Sequence, residues 1–297
     1  MKIVDKIIFN NKEYDKVYNG YELIFEVKKE VELEYLTFTA LEPSTIGYIR
    51  SNESTAQYSF DKVNWQTANS VPLQLDTGNK VYFKGNIVGD QSIEDYAHFT
   101  MTGKISASGS IMSLQEGNPQ DKTIKYDSEF YHLFENCSSL VTAPELPAGT
   151  LSYFCYGGIF SGCNSLITAP KLTTVALASY CYSNMFEYCS SLVNPPELPA
   201  DILTDGCYNS MFDGCTSLTK APDLMATSLE WSCYNGMFYD CINLKYIKCN
   251  ARYYNASYFN MWVENVSKNG DFYCYDASIF QTGYNGIPDG WTVHSEI

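Results

Sequence analysis

Apolar positions along this chain fall into two regimes. Over the first third they come in short runs, three to five residues long, separated by turn-forming residues at intervals of roughly ten residues. The first such block, residues 1–30, reads as strands at Ile3 to Phe9, Tyr14 to Tyr18 and Tyr21 to Val27, with turns at Asn10-Asn11 and Asn19-Gly20. Asn-Gly between apolar, aromatic flanks signals a hairpin because both residues of a type I′ turn need positive φ. Residues 31–117 continue with Leu36-Thr37-Phe38, Gln57 to Phe60, Val71 to Leu75, Val81 to Phe83, Phe99 to Met101, Ile105 with Ala107, and Ile111. Apolar residues alternating with Thr, Ser and Asn are what half-buried antiparallel strands require. The block therefore predicts an antiparallel β-sandwich of immunoglobulin-like size, lacking the Cys-Trp-Cys hallmark because the segment contains no cysteine.

From residue 118 the pattern changes to a strict 26-residue repeat. Phe134, Phe160, Phe186, Phe212 and Phe238 share that step with Cys137, Cys163, Cys189, Cys215 and Cys241, and with Leu140, Leu166, Leu192, Leu218 and Leu244. A second cysteine column (Cys155, Cys181, Cys207, Cys233) and a proline column (Pro144, Pro170, Pro196, Pro222) keep the same phase. Repeats of this length mark stacked arrays, since one unit cannot bury its apolar side without a neighbour. Within a unit, Cys181, Tyr182, Met185, Phe186 and Cys189 fit one stripe of a 3.6-residue helix. Each unit is thus expected to carry a short helix, then an extended segment. Proline has no N–H and removes a ladder bond, so the paired part is expected to be only about three residues long. Beyond Lys245 the phase breaks, and the chain from about residue 250 is read as a cap.

The fold expectation is a multidomain, mainly β chain with short helices. It comprises an N-terminal attachment hairpin (1–30), a sandwich (31–117) and an α/β solenoid of 26-residue coils with its cap (118–297). The phenylalanine, leucine and two cysteine columns are assigned to its core, and the tyrosines at 156, 182, 208 and 234 join them as core in preference to contact surface. Exposed residues between Ser190-type and Pro196-type positions recur on every unit and would form an extended contact surface.

Composition narrows the chemistry. The chain has 34 acidic against 19 basic residues, a formal net charge of −15, which argues against binding a phosphate backbone. No window approaches a membrane span and the N-terminus lacks the apolar core of a signal peptide, so synthesis in the cytosol is expected. Eleven cysteines, nine of them in the two columns and none in a Cys-x-x-Cys pair, read as reduced core thiols, with neither disulfides nor a zinc site. Three histidines (His98, His132, His294) supply no triad or metal set, and no phosphate-cradling loop or Gly-x-Ser-x-Gly elbow is present. Asp76-Thr77-Gly78 matches one half of an aspartic protease pair, but no second copy exists, and it is read as a turn. Neither enzyme activity nor a cofactor is expected.

Several motifs carry resemblances. Lys16-Val17-Tyr18 followed by Glu22-Leu23-Ile24 resembles N-terminal segments of phage tail and fibre proteins. Tyr58-Ser-Phe-Asp-Lys-Val-Asn-Trp65 is similar to a hairpin of small sandwich modules on bacterial and phage surface proteins, with Val63 where glycine is usual. Five in-phase copies of Phe-x-x-Cys-x-(Ser/Asn)-Leu across 134–249 resemble the BspA-type leucine-rich repeats of gut and oral anaerobes and their phages. Gly286 to Val293 is similar to the endings of such proteins. The resemblance implies a binding scaffold with no catalytic residues: a virion component docking to other virion proteins through its N-terminal β region and meeting a host surface glycan or protein through the repeats. A bacterial surface adhesin and a rigid spacer are the alternatives. Nucleic acid and membrane insertion are excluded as partners, and homo-oligomerisation stays open.

Overall fold

The computed structural model describes residues 34–49, 54–87 and 96–295 in full, and residues 2–9, 12–19 and 22–30 as backbone strands. Its contacts divide into two compact units, Met1–Glu34 and Tyr35–Ile297. The first is an antiparallel sheet of β1 (Lys2–Phe9), β2 (Lys12–Asn19) and β3 (Glu22–Glu30), in that order. The turn residues Asn10, Asn11 and Gly20 lie outside the described residues.

The second unit begins with eight strands: β4 (Leu36–Ala40), β5 (Ser44–Ile49), β6 (Gln57–Ser59), β7 (Gln66–Thr67), β8 (Leu73–Leu75), β9 (Lys80–Lys84), β10 (His98–Thr102) and β11 (Ile105–Ser108). They form two sheets, β10-β5-β8 and β11-β4-β9-β6-β7, the latter extended by β12 (Leu140–Thr142) beyond β11. Alternate residues point inward, and their rings join the sheets: Phe38 and Phe83 lie 4.9 and 5.0 Å from Phe99, and Tyr48 lies 6.3 Å from Phe83. Asp76-Thr77-Gly78 is the β8–β9 turn, with Gly78 at φ 85°. In the β6–β7 hairpin the left-handed residue is Lys62 (φ 62°), not Val63, and the Asp61 carboxylate accepts the N–H groups of Val63 and Asn64 at 2.8 and 2.7 Å. Valine therefore costs nothing where glycine is usual.

The repeat region corrects the expected fold class. Among the described residues there is no α-helix, only two 3₁₀ turns at Ile111–Leu114 and Ala277–Ile279, so the α/β leucine-rich-repeat solenoid with short helices is not formed. Each presumed helix is a ribbon of overlapping turns. Gly206, Ser210 and Gly214 have φ of 56°, 47° and 70°, and the same positive values recur every fourth residue in the other units. A right-handed helix cannot contain them. Every second N–H turns back on its own unit, as from Met211 to Tyr208 O, while the others cross to the next, as from Tyr208 to Cys233 O and from Phe212 to Met237 O. The apolar residues at 0, 1, 4, 5 and 8 follow a period of 4 rather than 3.6, and nine residues do not distinguish the two.

Nor do the extended segments make a continuous parallel sheet. Between units they are reduced to isolated bridges such as Thr168↔Asn194 and Lys220↔Tyr246, because the proline column interrupts the ladder. Toward the sandwich, β12 pairs in parallel with β11, and Phe134 stacks on Phe99 at 5.4 Å, so sandwich and repeats share a core. The region read as a cap continues the ribbon with one residue deleted. The crossing bonds there run from Tyr234 to Tyr258 and from Phe238 to Trp262, where regular units pair Tyr208 with Cys233 and Phe212 with Met237. A parallel sheet of β13 (Tyr246–Cys249), β14 (Asp271–Cys274) and β15 (Thr292–Ser295) covers the other side of this end.

Candidate functional site

The columns assigned to the core, from Phe134 to Leu244, are all buried. The phenylalanine rings stack face to face, 5.5 to 5.7 Å apart from Phe134 through Phe238, with planes within 10° of parallel. The tyrosines at 156, 182, 208 and 234 form a second buried stack at 5.9 to 6.3 Å.

One cysteine column has a polar task. The Sγ–H groups of Cys163, Cys189, Cys215 and Cys241 donate to the carbonyls of Phe134, Phe160, Phe186 and Phe212 at 3.0 to 3.1 Å, and Cys137 reaches Phe99 O at 3.2 Å. A thiol is large enough to fill the core and donates weakly to a carbonyl that would otherwise lack one acceptor bond. All eleven cysteines are free and buried, and burial pushes the thiols up, to about 12 for Cys155, Cys189 and Cys207. They are not nucleophiles.

Glycine is required where a ring from the preceding unit lies over the ribbon. A Cβ on Gly206 would stand 2.2 Å from Tyr180 Cε1, at φ +56°. Gly206→Ala is expected to lower stability by about 1–2 kcal/mol through the backbone alone, measured by urea denaturation. In the double variant with Tyr180→Ala only the steric remainder should be recovered; full recovery would refute the backbone cost.

Carboxylates gather on the ribbon side. Burial, then Glu187 and Asp240, pushes Asp213 up to about 7, and its Oδ1 has no partner. Burial also raises Glu187, and pushes Glu129 up to about 7 although the Lys125 and Tyr126 N–H groups bond its Oε2. Tyr96 OH donates to Glu135 Oε2 at 2.7 Å beside His132, whose ring burial lowers its pKa. His294 lies elsewhere, on Asp271 at 2.8 Å. Among the described residues no three His, Cys, Asp or Glu side chains are placed to hold a metal ion.

A concavity lies on the extended segments, on the surface that includes Ser190-type to Pro196-type positions. A cleft of about 670 Å³ separates segment 193–199 of one unit from segment 219–225 of the next. A missing N–H contributes to it. At the equivalent position Ala169 and Ala221 donate N–H to Asn194 O and Tyr246 O at 3.0 Å, whereas Pro195 has no N–H to give. Among the described residues no backbone hydrogen bond joins the two segments. They are drawn together again only beyond the cleft, where Leu203 N–H donates to Ser228 O. Lys220 lies over the Tyr246 ring at 4.7 Å, and Asp223 pairs with Lys248 at 3.3 Å.

The exposed positions recur on every unit of this surface, and their recurrence singles out none of them. The missed signal is visible in the column Ala143, Ala169, Pro195, Ala221, where one member breaks the repeat. No family model, curated protein or solved structure matches this chain.

Proposed function

We propose that this chain is a non-enzymatic structural and binding protein of a phage virion, a tail, fibre or head-decoration component. It docks through its N-terminal sheet and presents the repeat stack to a host surface after synthesis in the host cytoplasm. The observation that carries the reading is the division into two compact units, a small three-stranded sheet at residues 1–34 and one continuous body from residue 35. A minor unit with its own hydrogen-bonded sheet suits attachment, and a body sharing one core suits presentation without internal hinges. The mixed lining of the cleft, apolar with few charges, suits recognition.

Mass spectrometry of purified virions, after lysine cross-linking, tests this. The chain should be present at a fixed stoichiometry, with cross-links from the lysines of residues 1–34 to other virion proteins. Its absence from virions, with recovery in a bacterial surface fraction, would sink the reading in favour of an adhesin.

A further inference from the structure

The cleft at Pro195 has a lining that specifies a ligand class. Pro195, Pro196, Pro199 and Pro222 contribute carbonyls and no N–H, and Glu197 adds a carboxylate, as does Asp223, which also pairs with Lys248, so its polar surface is rich in acceptors. Thr219 and Lys220 are the side-chain donors that join Asn194 on these walls. Val193 and Met225, both more than two-fifths exposed, provide apolar contact. A ligand that fits must bring donors in excess and carry no negative charge, since the chain itself is at −15.

We infer that this cleft binds a neutral, hydroxyl-rich glycan, an inference that rests on the host-surface reading above and names its ligand. A hydroxyl donates one bond and accepts others, and its hydrogen rotates to suit the partner. Each sugar residue can thus donate to carbonyls and carboxylates while its C–H face covers proline, valine and methionine. An extended peptide matches less well. It carries one carbonyl acceptor for each N–H, and these walls hold fewer side-chain donors than acceptors, so part of those carbonyls would be desolvated without partners. Pro195 is the specificity-determining residue, because its ring lines the cleft and it offers no N–H to the facing segment.

The full chain should be applied to an array of neutral hexose and N-acetylhexosamine oligosaccharides, uronic-acid and sialylated oligosaccharides, and extended peptides. The affinity of the best neutral oligosaccharide is then measured by calorimetry. Binding to neutral glycans is expected, weakened tenfold or more by Pro195→Ala and by Glu197→Lys. The second variant alters an exposed side chain and keeps the test valid if the first perturbs folding. Binding only to acidic glycans or peptides, or both variants binding as the parent does, would overturn the inference. A chain present in virions that binds no glycan fails this inference alone. A chain absent from virions that binds neutral glycan through the cleft fails only the virion assignment.

Discussion

Phe186→Asp is expected to unfold the chain from residue 35 onward in one step. The Phe186 ring is fully buried between Phe160 and Phe212, 5.7 Å from each and within 10° of parallel to both. Truncation of such a ring to alanine costs about 3–5 kcal/mol. Aspartate adds a charge with no buried partner, so the total reaches a large part of the roughly 5–15 kcal/mol that holds a domain together. In an array whose units touch only their neighbours the damage would stay local. Here the stack runs through Phe134 onto Phe99 of the sandwich, and β11 pairs with β12, so the loss should spread. Circular dichroism and tryptophan fluorescence, which reports Trp65 in the sandwich and Trp231, Trp262 and Trp291 in the repeats and the C-terminal end, should lose their signals together. A surviving sandwich transition at the parental temperature would refute the shared core.

The second large effect is on pH. Glu129 and Asp213 both titrate near 7 in the folded chain, against ordinary carboxylate values of 4.5 and 3.8 once unfolded. Between those limits the folded state holds protons that the unfolded state has released, so stability falls as pH rises. The stabilisation is complete below about pH 4, is lost progressively up to about pH 7 and changes little beyond. Glu129 is almost fully enclosed and should account for about 2–3 kcal/mol of the loss, with Asp213, nearer solvent, contributing less. The melting temperature of the parent should therefore drop between pH 5 and pH 8. Glu129→Gln keeps an acceptor for Lys125 and Tyr126 N–H while removing the charge, and should raise the melting temperature at pH 8 and flatten the profile. An unchanged profile in that variant would show that the buried carboxyl is not responsible.

Much of the architecture was legible because repetition removes ambiguity. A residue type recurring five times in register has one explanation in packing, and the phenylalanine, cysteine and leucine columns are buried as a group. Most strands of the first third were legible from alternation, since a strand repeats every two residues and little else does, but β5 (Ser44–Ile49) and β7 (Gln66–Thr67) were not, and Ile111 lies in a 3₁₀ turn. The cleft was legible only as a broken column at Pro195, and the carboxylates not at all, because enclosure of Glu129 or Asp213 depends on what the fold lays over them.

By itself the sequence determined the period, the residues that stack and the strand-rich first third, all of which follow from hydrophobic spacing. The tertiary structure alone decided that the repeated segment is a turn ribbon and not a helix. Spacings of 4.0 and 3.6 coincide over nine residues, and the choice rests on left-handed residues whose alternate N–H groups find acceptors only in the neighbouring unit. That neighbour exists only once the chain has folded upon itself.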